Sequence, residues 1–117
     1  MTIEEKRKHA RIDSLHLINY LLYEETENDA TQGMGRTLNV SESGILLETH
    51  TPIETHLKIS LTIGIEEDVV DIKGKIIYSK QSENDMFESG IEFFIMDENA
   101  KNILKAYIKA FNERPNE

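Results

Sequence analysis

Apolar and polar residues alternate most regularly in the middle of the chain, where Leu57, Ile59, Leu61, Ile63 and Ile65 are separated by Lys58, Ser60, Thr62 and Gly64. A period of two is the pattern of a strand with one buried face. After a polar turn at Glu66, Glu67 and Asp68, a second run places Val70, Ile72, Gly74, Ile76 and Tyr78 on one parity, against Asp71, Lys73, Lys75, Ile77 and Ser79 on the other. The two runs are predicted to pair as an antiparallel hairpin. Residues 81–85 read as a polar loop, and Ile91, Phe93 and Ile95 on one face, with Glu92 and Phe94 on the other, mark a further strand. Upstream, residues 15–23 form a β-type run with apolar residues at both parities, so its inward face is left open. Residues 24–35 are polar with two glycines and predict a loop; 36–40 and 44–49 are short strands around a Ser-Glu-Ser-Gly bend.

The last periodic segment changes to helical spacing. Asp97 is a good N-cap, Ile103, Leu104, Tyr107, Ile108 and Phe111 fall on one stripe, and Pro115 forbids continuation. An apolar stripe of this kind needs a surface to cover. Five or six short antiparallel strands followed by one amphipathic helix predict a small β-barrel or sandwich, with the helix plugging an end or lying on a face. At 117 residues the chain suits one domain, and it has no internal repeat. A core of that size buries roughly two thirds of the unfolded surface and needs no covalent staple.

Composition narrows the chemistry. With no cysteine, disulfides, thiolate nucleophiles and cysteine-ligated metal sites are excluded. No run approaches the length of a membrane span, and the first dozen residues lack the apolar stretch of a signal peptide, so a cytoplasmic protein without membrane insertion is expected. The net charge of −9 repels nucleic acid and anionic lipid at long range. That charge is uneven: Lys6, Arg7, Lys8 and Arg11 against Glu4 and Glu5 give the first 11 residues +2, leaving −11 on the rest. A short basic arm on an acidic body favours a small, compact anion over a polyanion.

Catalytic patterns fail. His9, His16, His50 and His56 lack the spacing of a zinc helix, and Asp13, Ser14 and His16 are neighbours along a strand, whose side chains point apart. Gly33-Met34-Gly35 lacks both the third glycine of a dinucleotide loop and the Lys-Ser/Thr of a P-loop. No enzyme and no metal or cofactor are expected.

Two small patterns remain. Arg7-Lys8-His9-Ala10-Arg11 is an RxxxR unit, whose planar guanidinium forks suit phosphate or a guanine edge and stack on bases. Asn39-Val40-Ser41-Glu42-Ser43-Gly44 has the form [D/N]xSxxG between two strands. There an amide and a hydroxyl can address a base edge, and the glycine either permits positive φ or lets a ligand approach the backbone. Taken singly, each pattern is also that of a solvated chain end or an ordinary turn.

In this order, RxxxR before the first strand, [D/N]xSxxG between the second and third, a Gly90-Ile91-Glu92-Phe93 strand and a terminal amphipathic helix, the chain resembles the PilZ domain, a family of bacterial receptors for cyclic di-GMP. The resemblance runs from about Lys6 to Phe111 and is most specific over 35–47. It implies a mainly β fold, a six-stranded antiparallel barrel with a C-terminal helix. Residues 1–13 would be a flexible basic arm, 14–112 the barrel and helix, and 113–117 a tail. It further implies that Arg7 and Arg11 meet the phosphates and guanine faces, that Asn39, Ser41 and Gly44 address a guanine edge, and that Gly90 lies near the pocket. Asn39 stands where Asp is commoner and Ser43 where a second glycine is common; neither removes a required group. Lys6, just before the RxxxR unit, occupies a position that influences whether one ligand molecule or an intercalated pair is held.

The implied function is a stand-alone cyclic di-GMP sensor, monomer or homodimer, whose arm becomes ordered on binding and whose changed surface is read by an effector protein in trans. The alternative is an adaptor of the same fold that binds protein partners without nucleotide. Binding of single-stranded nucleic acid is disfavoured by the charge and by the absence of Trp.

Overall fold

The described residues of the computed structural model, 17–24 and 30–113, form six strands and one long helix. The strands are β1 (Leu17–Tyr23), β2 (Ala30–Val40), β3 (Gly44–Thr49), β4 (Lys58–Ile65), β5 (Asp68–Gln81) and β6 (Phe87–Phe93), and the helix is α1 (Glu98–Asn112). Every pairing is antiparallel, and the order β1-β2-β3-β6-β5-β4 closes on itself through β1 and β4. Closure removes the unpaired edges that an open sheet of this size would expose.

The hairpin read from the alternation is present, with Ile65 paired to Asp68 across Glu66 and Glu67. Ile59, Leu61, Ile63 and Ile72 are completely or almost completely buried, and with Leu47 they form the aliphatic centre of the barrel. In β1, Ile18, Tyr20 and Leu22 point inward, while Leu17 stays exposed. The ambiguity of that run comes from apolar residues on the outer surface.

Four local expectations are corrected. β2 begins at Ala30, inside the span expected to be a loop. Its first half has no hydrophobic alternation because its register is set by the ladder with β1, in which Tyr20 faces Gly33. The Tyr20 ring occupies the space a side chain at 33 would need, so the glycine marks close approach within a strand. β5 likewise continues to Gln81, and the connection to β6 is a 3₁₀ turn at Glu83–Asp85. Within β5 the ladder to β6 slips between Ile76 and Tyr78. This β-bulge reverses the parity, so Ile77 and Tyr78 are both exposed and Tyr78 does not share the buried side of Ile76. Finally, β6 stops at Phe93; Ile95 lies in the link to the helix, fully exposed.

The helix starts where expected. Asp97 accepts a hydrogen bond from the Ala100 amide at 2.8 Å, and Ile103, Leu104, Tyr107 and Phe111 are buried against the barrel, chiefly at β4 and β5. Inside that contact the Thr37 and Tyr107 hydroxyls are 3.0 Å apart. Pro115, like the arm bearing Lys6, Arg7 and Arg11, lies outside the described residues.

Candidate functional site

The bend between β2 and β3 is built from short polar residues that hydrogen-bond to themselves. The Ser41 amide donates to the Gly44 carbonyl at 2.8 Å, closing the turn, and the Ser43 amide donates to Ser41 Oγ at 3.2 Å. The two serine hydroxyls are 3.1 Å apart. At its entrance Asn39 Oδ1 accepts from the Val40 amide at 2.9 Å, which holds the exposed side chain against the strand. The Phe93 amide donates to the Ser43 carbonyl at 2.9 Å, so the bend is also fixed to β6.

Gly44 is not there for a left-handed backbone, since no described glycine has positive φ. The reason is close approach: a Cβ at 44 would press into the Ile91 carbonyl oxygen of β6. Gly90 is also a close-approach glycine, but of another kind. It faces Leu46 on β3 and Tyr78 on β5, and a Cβ placed on it would lie 2.5–3.1 Å from three atoms of the Tyr78 ring.

Of the residues singled out from the sequence, the fold brings Asn39, Ser41, Gly44 and Gly90 to one open depression of about 360 Å³ on the outer wall where β2, β3, β5 and β6 adjoin. Its floor is apolar, with Ile45, Leu46 and Ile91, and its polar groups come from the Asn39–Gly44 side. The opposite side is formed by Ile77 and Tyr78, the residues turned outward by the β5 bulge. Sequence reading missed both, because alternation assigns Tyr78 to the side of Ile76. The one signal that points to it, an aromatic residue paired across strands with a glycine, needs the β5–β6 register to be seen.

No Lys or Arg lines the described depression. Lys6, Arg7 and Arg11 lie outside the described residues. Among described cations, Lys80 lies beside the lining Tyr78, with Nζ 5.9 Å from the centroid of its ring and 3.8 Å from Glu88 Oε1. Arg36 is engaged by Glu48 at 3.1 Å and Lys75 by Glu92 at 3.4 Å.

The back of the same bend borders a second hollow. Glu42 joins Phe94, Ile95, Met96 and Lys101 there, between the β6–α1 link and the helix. His50 and His56 are exposed. Among the described residues no group of three or more His, Asp or Glu side chains gathers as a metal site, and no helix is long and apolar enough to cross a membrane.

Compared with known families, the chain matches the PilZ domain over residues 5–110. No curated protein matches it.

Proposed function

The chain belongs to the PilZ domain family, whose members are cyclic di-GMP-binding domains, and from that premise we propose that it is a cyclic di-GMP receptor that reports occupancy to a partner protein in trans. The observation that carries this reading is the convergence of Asn39, Ser41, Gly44 and Gly90 on one depression in which no described lining residue carries positive charge. A dianionic ligand there requires cations from elsewhere, and the RxxxR unit of Arg7 and Arg11 is the basic element that the rest of this acidic chain leaves unexplained.

The division of labour follows from chemistry. Asn39 and Ser41 offer short hydrogen-bonding groups for a purine edge, the apolar floor accepts the ring, and the guanidinium forks take phosphate oxygens or stack on the bases. Lys6 adds a donor beside the first of the arginines. Four or five charge-assisted contacts of about 1.5–3 kcal/mol each support micromolar or better affinity after the cost of ordering. The acidic body reduces this little, since charges beyond about 8–10 Å are screened at physiological salt.

PilZ domains act as ligand-binding receptors, so the output is a surface, not a product. Glu42 lies in the bend that carries Ser41 and Gly44 and also borders the hollow with Phe94 and Lys101. A shift of the bend on ligand binding therefore changes the face offered to a partner there. Calorimetric titration with cyclic di-GMP tests the receptor reading. Saturable binding that is lost or strongly weakened in Arg7→Ala is expected, and absence of heat from the wild-type chain at high micromolar ligand overturns it.

A further inference from the structure

The outer wall of the barrel sets opposite charges across its strands, with one break. Arg36 on β2 faces Glu48 on β3, Lys80 on β5 faces Glu88 on β6 and Lys75 faces Glu92, each in an ion pair of 3.1–3.8 Å. Between β4 and β5 that order fails: Lys58 faces Lys75, and Lys73 has Ser60 directly across. On its other side, the Lys73 carbonyl accepts the Phe94 amide at 2.9 Å, which carries the β5–β6 register one pair past Gly74 and Phe93 and sets Phe94 opposite Lys73. Lys58, Lys73 and Lys75 therefore share one parity of a single hairpin, in a chain with 22 acids and 13 Lys or Arg. Like charges set across a ladder cost stability. Asp71, the next residue on that parity, accepts from the Thr62 hydroxyl at 2.8 Å.

An apolar patch adjoins these lysines. Ile95 is fully exposed and Phe94 is 38% exposed. With Met96 and Leu104 they line a hollow of about 220 Å³ between the β6–α1 link and the helix, whose charged lining residues are Lys101 and Glu42. That is room for an apolar side chain with a cation beside it. The three lysines spring from an area two residues long and two strands wide, about 7 by 5 Å. So small a footprint suits the carboxylates of one short segment, whereas a nucleic acid or a membrane plane would also meet the acidic body around it.

Extending the receptor reading above, from which it takes only the existence of a protein partner, we propose that the partner presents an acidic segment with an apolar anchor. The anchor enters the hollow at Phe94 and Ile95, and the flanking carboxylates meet Lys73, Lys58 and Lys75, the last shared with Glu92. This surface adjoins the nucleotide site without overlapping it. Lys75 faces Glu92, Glu92 faces Gly44 of the bend, and the Phe93 amide holds the Ser43 carbonyl.

The probe is a fluorescein-labelled synthetic peptide in which Glu and Leu alternate, titrated with the full chain and read by fluorescence polarisation. Saturable binding is expected, weakened by added salt as exposed ion pairs are. The Lys58→Glu/Lys73→Glu double variant should lose about tenfold in affinity for it and gain affinity for the counterpart in which Lys and Leu alternate, an inversion that a merely structural effect would not produce. Ile95→Ser should cost about tenfold and leave the thermal unfolding midpoint in place, since the side chain is fully exposed. Equal binding of the Glu–Leu peptide by the double variant, or no binding by the wild type up to about 1 mM, overturns the proposal. A wild-type chain that sediments with phosphatidylserine vesicles but ignores the peptide makes the patch a membrane contact and overturns it too, and an unaffected Ile95→Ser overturns the anchor. Calorimetry with cyclic di-GMP keeps the two readings apart: a chain that binds peptide but no nucleotide loses the receptor reading and keeps this surface, and one that binds nucleotide but no peptide does the reverse.

Discussion

Thr37 and Tyr107, 70 positions apart in the chain, meet through their hydroxyls at 3.0 Å in the interior, where each is at most 2% exposed. Thr37 is on β2 and Tyr107 on α1, so this contact joins the barrel wall to the helix packed on it. It also stands next to the site. The β2–β3 register slips between Thr37 and Asn39, so the residue anchoring the helix and the residue facing the depression flank one bulge.

Tyr107→Phe leaves the ring stacked near Phe111, 6.3 Å between centroids, but deprives the buried Thr37 hydroxyl of this partner. A loss of about 1–2 kcal/mol in urea unfolding is expected. Thr37→Val should cost a similar amount, and the double variant less than the sum of the two. Strict additivity would show that the two hydroxyls do not support each other.

Gly44→Ala tests the bend. Its Cβ meets the Ile91 backbone oxygen, which cannot rotate away as a side chain can, so β3 and β6 must part locally. Overpacking of this kind should cost about 2–3 kcal/mol and remove ligand binding together with stability. A thermal unfolding scan that overlays wild type would contradict the close approach.

Glu66 has φ of 55° in the two-residue turn joining β4 to β5, a left-handed conformation that an L-residue with a long side chain adopts at a cost. Glu66→Asn relieves that cost and removes one of three adjacent acids, Glu66, Glu67 and Asp68. Stabilisation of about 0.5 kcal/mol is expected, a rise of roughly 2 °C in Tm. A lower Tm would mean the carboxylate has a role in the turn.

The barrel was legible in the chain wherever one physical constraint dominated. One-sided burial wrote the β4–β5 hairpin into the alternation of Leu57 to Ile76, and the helix announced itself through Asp97 and the Ile103–Phe111 stripe. The failures occurred where tertiary pairing overrode local pattern. The first half of β2 is held by its ladder to β1 and reads as loop; the bulge at Ile77 reverses a parity that alternation assumes continuous; Ile95 is apolar but no described residue covers it. For the site, Asn39, Ser41 and Gly44 were visible because a bend of short polar residues keeps its members close in sequence. Gly90 was visible through its place in the Gly90–Phe93 strand, but the reason for a glycine there was not, since it depends on a ring that only the β5–β6 register brings over it.

Asn39 is expected to matter through hydrogen bonding and not through charge. Asn39→Ala should weaken cyclic di-GMP binding by about 5- to 20-fold, while Asn39→Asp, which keeps an acceptor at the same place, should retain it, with calorimetry as the measure. Equal loss in both variants would mean that the amide donors of Asn39 are the recognising group.

The remaining expectation concerns the basic segment. Among the described residues no cation lines the depression, and the chain outside residues 1–11 carries −11, so binding of a dianion should depend steeply on Arg7 and Arg11. Arg7→Ala and Arg11→Ala should each weaken binding about 10- to 100-fold, and the double variant should show little further response to salt, since the ion-pairing groups are gone. Lysine replacements should recover only part of the loss, because an ammonium supplies charge without the planar fork or the stacking face. The same contact has a second readout in limited trypsin digestion. If Arg7 and Arg11 hold the ligand as proposed, saturating cyclic di-GMP should shield the cleavage points at Lys6, Arg7, Lys8 and Arg11 and slow cutting there several-fold, while leaving cleavage at the exposed Lys73 or Lys105 unchanged. Unaltered cutting at full occupancy would place the arginines away from the nucleotide and leave the charge of the ligand to be met by Lys80 or another group on the barrel.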